Sequence, residues 1–339
     1  MLKTLKELCG INGVSGYEDE VRNYIEARVS AYADEMYTDT MGNLIVYKKG
    51  KSAGKKVMLA AHMDEVGIIV TDFTDEGYLK FACVGGIDRR VIIGKTVYIG
   101  DRKIFGVIGN KAVHLVKKDE RSKIPSLDDM YIDIGAATGD QARELVQLGD
   151  VGAFAPDVFE FGNGFLKAKA IDDRIGCAVM IKLIGFELPV DCWFVFTVQE
   201  EVGTRGAITS AYRIEPDVAL ILEGTTAADL PGVQGNKRIC SPGKGIVIPF
   251  MDGGTVYDRE LYSHLTSLAD DNDITWQTKS YIAGGTDASA IQRSRGGVRV
   301  IGISAALRNV HSPACVGNIE DFYSMEKLAR LFLDTIGEI

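Results

Sequence analysis

Apolar positions along the chain keep three rhythms in turn. Near the start, Val21, Tyr24, Ile25, Val29 and Tyr32 recur at helical spacing, which predicts a helix with one apolar face. Ser15-Gly16-Tyr17-Glu18 just ahead fits a capping box, with hydroxyl and carboxylate serving the first free backbone N–H groups. Strands are predicted at residues 43–47 and 57–61. From about residue 69 to 167 the rhythm shortens. Segments rich in Val, Ile, Tyr and Phe at 78–84, 95–99, 103–108, 130–134 and 158–161 alternate with glycine-bearing turns, and only 140–148 reads as helix.

After residue 170 helix and strand alternate again. A nearly all-apolar helix at 174–186 leads to a strand at 192–198, a short helix near 206–213 and a strand at 218–222. A helix at 259–270, a strand at 298–304 and a closing helix at 321–336 follow; the last puts Phe322, Met325, Leu328, Ala329 and Phe332 on one face. Purely apolar strands between helices imply a sheet covered on both sides, hence a mostly parallel one. The predicted fold class is α/β: a three-layer α/β/α domain with a mostly parallel sheet, assembled from residues 1–68 and 168–339. Residues 69–167 are predicted to form an inserted small β-rich, barrel-like domain.

Charge narrows the function classes. Lys and Arg number 38 against 47 Asp and Glu, a net of 38 − 47 = −9, which argues against nucleic acid or an anionic membrane as partner. No apolar run approaches the ~18 residues of a membrane span. The first residues carry an acid at Glu7 and lack an apolar signal core. The six cysteines are scattered without a Cys-x-x-Cys pair, the expectation for reduced thiols in a cytoplasmic protein.

Four apolar strands run straight into residues able to hold a metal. The first ends at His62-Met63-Asp64, the second at Gln199-Glu200-Glu201, the third at Glu223, and the last is followed by a loop reaching His311. A fifth element, Ile171-Asp172-Asp173-Arg174, sets two acids at a helix start. In open α/β sheets the ligand crevice lies beyond the carboxyl ends of the strands, so these residues are predicted to converge there. Two neutral imidazoles with several carboxylates suit Zn²⁺, Co²⁺ or Mn²⁺. Were Asp172 to bridge two ions, each ion would have one His, one terminal carboxylate and an open position for water. In His62-x-Asp64 the alternate spacing puts both side chains on one face, which suits Asp64 as the acceptor that orients the imidazole. Adjacent Glu200 and Glu201 point apart, so one can bind metal while the other addresses the water as general base.

Taken singly, each of these residues has an ordinary structural explanation; their joint placement at strand ends favours the metal centre. His114 and His264 are expected to be hydrogen-bonded or solvated, and Cys315 to pack in the core. Gly284-Gly285-Thr286-Asp287 reads evenly as crevice lining or as a turn whose Asp caps a helix. Arg308 is expected to pair with a surface acid rather than a substrate. Nucleophile elbow, Walker loop, dinucleotide fingerprint and His-Glu-x-x-His are all missing from the sequence.

The ordered motifs Ala61-His62-Met63-Asp64-Glu65-Val66-Gly67, Ile171-Asp172-Asp173-Arg174-x-Gly176, Gln199-Glu200-Glu201-Val202-Gly203 and Val310-His311-Ser312-Pro313 resemble the glutamyl/tetrahedral (TET) aminopeptidases. These are dinuclear metallopeptidases, some of whose members carry cellulase M or endoglucanase labels. The resemblance implies that His62, Asp172, Glu201, Glu223 and His311 bind two divalent metal ions, zinc first and cobalt or manganese next, with Asp172 bridging. It makes Glu200 the general base and Asp64 the orienter of His62. It further implies a dimerisation or lid role for the insert and homo-oligomers from a dimer up to a hollow dodecamer. Where relatives often read Pro-Thr-Arg-Tyr ahead of the second histidine, this chain has Ala306-Leu307-Arg308-Asn309. The expected activity is removal of residues from the free N-terminus of peptide substrates. The alternatives are a metal-dependent amidase or deacylase on the same fold, an endoglucanase-type glycosidase, and a non-catalytic binding protein.

Overall fold

The four apolar strands that lead to candidate ligands lie side by side. In the computed structural model, which describes residues 1–119, 122–282 and 284–339, their order across the sheet is Val190–Thr197, Ser52–His62, Val218–Thr226, Arg299–Arg308, all parallel. The sheet continues antiparallel on both sides. Leu44–Lys48 and Glu35–Thr38 extend one edge; Cys315–Asn318, Phe165–Ala168 and Phe159–Phe161 extend the other. The parallel part is confined to the middle because hairpin-linked strands can only run antiparallel, whereas parallel neighbours need crossovers.

Two groups of helices cover the sheet. Leu2–Cys9, Ile171–Ile184 and Ile319–Thr335 pack together, and Arg205–Ile214 packs with Ala288–Gln292. Phe322, Met325, Leu328, Ala329 and Phe332 of the closing helix are all fully buried, as their spacing predicts. The fold class is the expected one.

Six of the described strands, Gly67–Phe73, Leu79–Val84, Met130–Asp133, Ile104–Asn110, Thr96–Ile99 and Val151–Phe154, close an antiparallel barrel with its own core of Ile68, Leu79, Val97, Ile99 and Ile132. Phe159–Phe161 and Phe165–Ala168 fall inside the 69–167 segment yet pair within the large sheet, so the chain rejoins that sheet ahead of residue 168.

The capping box is not formed. Helix Asp19–Val29 has no side-chain cap bond. Ser15 Oγ instead donates to Asp64 Oδ2 at 2.6 Å, and Glu18 Oε1 accepts from the backbone N–H of Gly16 and of Gln199 at 2.7 and 3.1 Å. Both side chains are spent on the strand-end loops, where buried donors and acceptors would otherwise go unpaired.

The two passages between sheet and barrel are pinned by buried charge. Lys169 Nζ lies 2.5 Å from Glu65 Oε1, which also accepts from the Gly13 N–H at 3.0 Å, and Arg174 Nη2 lies 3.6 Å away. Glu65, Lys169 and Arg174 are 3%, 1% and 0% exposed. Removing one partner of such a cluster strands the others in low dielectric. Glu65→Ala is therefore expected to cost about 3–5 kcal/mol of stability by equilibrium denaturation. A loss under about 1 kcal/mol would mean that the cluster is not a stabilising one.

Candidate metal centre

His62 closes the Ser52–His62 strand, and its Nε2 lies 3.4 Å from Asp172 Oδ1 and 3.5 Å from Glu223 Oε1. His311 arrives from the loop beyond the Arg299–Arg308 strand. Its Nε2 lies 3.7 Å from Asp172 Oδ2 and 3.2 Å from Glu201 Oε2. Asp172 thus offers one oxygen to each imidazole. The ligand atoms of the two triads, His62–Asp172–Glu223 and Asp172–Glu201–His311, lie within 4.8 Å of one another in each case. Glu223 sits inside the Val218–Thr226 strand rather than past its end. Gly224 beside it permits the approach of Asp172, since a Cβ there would stand 3.0 Å from Asp172 Cγ.

The imidazole orientations say what belongs between these groups. His62 Nδ1 lies 3.0 Å from the Asp64 carbonyl oxygen, and His311 Nδ1 2.8 Å from that of Gly86. A carbonyl only accepts, so each Nδ1 carries a proton and each Nε2 is aimed at carboxylates. Nε2 and a carboxylate oxygen can face each other only across a shared positive charge, a proton or a metal cation. Asp172 Oδ1 is, moreover, buried without a hydrogen-bond partner. Imidazole nitrogens and carboxylate oxygens form the donor set that zinc, cobalt and manganese accept. The residues present therefore fit two divalent ions.

The electrostatics agree with that fit. Burial, with Asp172 and Glu200 nearby, holds the Glu201 carboxyl well above the usual range. Burial, with Asp173 and Asp172, does the same to Glu223. Burial alone would push His62 down, but Glu223, Asp172 and Asp64 carry it well above its ordinary value. Lacking added positive charge, such a cluster neutralises itself by taking up protons.

Asp64 does not act quite as the sequence suggests. Its carboxylate Oδ1 stands 3.5 Å from His62 Nδ1, farther than its own main-chain oxygen. The carboxylate instead accepts from the backbone N–H of Glu200 at 3.0 Å and of Glu201 at 3.1 Å, besides Ser15. It fixes the loop that presents both glutamates. Asp173, left unassigned in the sequence, accepts from the His62 N–H at 3.2 Å and the Gly176 N–H at 3.0 Å. Sequence reasoning also missed the Gly86 carbonyl. Main-chain acceptors leave no residue-type signal, and contacts across more than a hundred positions leave no spacing signal.

Ala170, Gln199 and His311 hold left-handed backbone at φ 53°, 56° and 59°, a conformation that costs of order 1–3 kcal/mol for a non-glycine residue. All three border the cluster, where surrounding contacts over-determine the backbone.

Of the remaining candidates, Arg308, His264 and His114 lie away from the cluster, while Cys315 and Asp287 border it without belonging to either triad. Arg308 pairs with Asp229 at 2.8 and 2.5 Å. His264 meets Thr335 at 2.8 Å, His114 is exposed, and Cys315 is buried in a strand. Asp287 makes no side-chain cap bond; its Oδ2 accepts from Thr197 Oγ1 at 2.5 Å.

The model of the M42 glutamyl aminopeptidase family matches residues 42–328. Lysyl aminopeptidase of Pyrococcus furiosus is 32% identical over 344 residues, covering 98% of this chain and 96% of the relative. The solved TET aminopeptidase of a marine-sediment Thaumarchaeota archaeon superposes with a TM-score of 0.94 at 33% identity, covering 99% and 97% of the two chains. The TET1 peptidase of Pyrococcus horikoshii, described as assembling into a tetrahedron or a large octahedral shell, is similar at TM-score 0.87 and 32% identity over 98% and 99%.

Proposed function

Since this chain belongs to the M42 glutamyl aminopeptidase family and is a peptide-hydrolysing aminopeptidase, we propose that its chemistry runs at a dinuclear centre held by His62, Asp172, Glu201, Glu223 and His311. The observation that carries this is Asp172, whose two oxygens face two separate histidines. Zinc is the first candidate by donor type, with cobalt and manganese accommodated by the same ligands. Held by these five residues, two divalent cations would supply Lewis acidity for a scissile carbonyl and for a water molecule.

The chain's own residues do the rest. Glu200 belongs to neither ligand triad, which leaves its carboxylate to take the water's proton and return it to the departing amine. Asp64 is a positioning residue: holding the Glu200 and Glu201 amides, it keeps base and ligand in fixed relation. The surplus of carboxylates favours a substrate that brings positive charge, as the free α-amino group of a peptide does.

The large sheet with its helices would form the catalytic domain, and the barrel, whose described strands run from Gly67 to Phe154, would serve dimerisation or act as a lid; strands Phe159–Phe161 and Phe165–Ala168 go with the catalytic domain rather than with the barrel. Assembly of copies, from a dimer up to a dodecamer, is supported by the shell-forming neighbour. A cytoplasmic setting is supported by six free thiols. No helix among the described residues is long and apolar enough to cross a membrane.

One experiment tests the reading. Protein stripped with a chelator is expected to lose peptide hydrolysis and recover it on adding Zn²⁺, Co²⁺ or Mn²⁺. The recovered enzyme should cut a free-amine peptide and leave its N-acetylated twin intact. Full activity after verified metal removal would overturn the metal centre, and cleavage of the acetylated twin would favour the amidase alternative.

A further inference from the structure

Beside His311 opens a cavity of about 480 Å³, walled on one side by Asn309, Val310, Ser312 and Pro313 and on the other by the barrel segment from Asp88 to Lys95. That segment reads Asp88-Arg89-Arg90-Val91-Ile92-Ile93-Gly94-Lys95, three cations against one acid in a chain of net charge −9. The Asp88 carboxylate accepts from the Arg90 backbone N–H and from its Nε and Nη2. Among the described residues Arg90 Nη1 takes no hydrogen bond and Lys95 forms no ion pair. Arg90 and Lys95 both line a space that begins at a candidate metal ligand.

We propose that this cavity receives the leaving side of the peptide, and that Arg90 and Lys95 recognise a carboxylate there, making the preferred substrates short peptides with a free C-terminus. The inference rests on the aminopeptidase reading and names a substrate class for it. The N-terminal amine of a substrate is drawn to the carboxylate cluster, so the chain beyond the cut bond must leave by another wall. Extended peptide covers roughly 3.5 Å per residue, so one or two leaving residues set their terminal carboxylate a short way past His311. A guanidinium and an ammonium there select for charge through hydrogen bonds to an ionised acceptor, which outweigh neutral ones. Arg90 suits the planar carboxylate, while Asp88 keeps its guanidinium oriented.

The test compares three substrates sharing one N-terminal residue: a tripeptide acid, the same tripeptide amidated at its C-terminus, and an aminoacyl anilide with no leaving-side carboxylate. The metal-loaded wild-type enzyme is expected to favour acid over amide about tenfold in kcat/KM. Arg90→Gln combined with Lys95→Gln is expected to erase that preference, lowering the acid about tenfold and leaving amide and anilide within about twofold. Equal rates for acid and amide in the wild type would overturn the proposal, as would a variant that slows all three alike. Failure of anilide hydrolysis in the wild type would instead count against the reading of the centre itself.

Discussion

Glu200→Gln is expected to keep its full complement of bound divalent metal and lose about 10²–10⁴-fold in turnover, the range that positioned proton transfer typically supplies. The amide is nearly isosteric with the carboxylate, so packing and the main-chain bonds from the Glu200 and Glu201 N–H groups to Asp64 survive. What it cannot do is accept a proton. Elemental analysis of the purified variant beside a single-turnover assay separates the two effects. A metal-replete variant with near-normal rate would remove Glu200 from the reaction and direct attention to Glu201.

Asp172→Ala is expected to have the broader effect. Its oxygens face His62 at 3.4 Å and His311 at 3.7 Å, so one truncation takes a ligand from both positions at once. Bound metal should fall from two ions per subunit to fewer than one. Activity should drop by more than the ~10–100-fold that loss of a merely outer partner costs. Glu223→Ala is the informative contrast. That carboxylate belongs to the His62 triad alone, so one ion should persist with His311, Asp172 and Glu201. Circular dichroism checks that each variant folds. Two ions retained in a folded Asp172→Ala protein would exclude the shared-carboxylate arrangement.

The same residues show what a sequence can reveal. Periodicity gave the helix and strand order because burial imposes it: the closing helix buries every position its spacing marks. The candidate ligands were legible only jointly, because several apolar strands leading to His or Glu point to one crevice, and they do meet. The division of labour around them was not. Ser15 and Glu18 have ideal capping chemistry, yet the competing demand of Asp64 and of the Gln199 amide wins, since an unpaired buried group costs more than a frayed helix start. Nor could periodicity reveal that Phe159–Phe161 joins the large sheet, because barrel and sheet strands share one alternating pattern.

Both candidate ligand rings owe their tautomer to peptide oxygens, those of Asp64 and Gly86. Codon changes can swap a side chain but not delete a carbonyl, so this part of the centre is shielded from most point mutation. Drift at residue 64 can loosen the glutamate loop while leaving the main-chain acceptor of His62 in place. For His311 the shield comes from the barrel, which makes the insert a structural creditor of the centre rather than a detachable ornament. Trimming it away to obtain a minimal enzyme would release one ring to rotate freely.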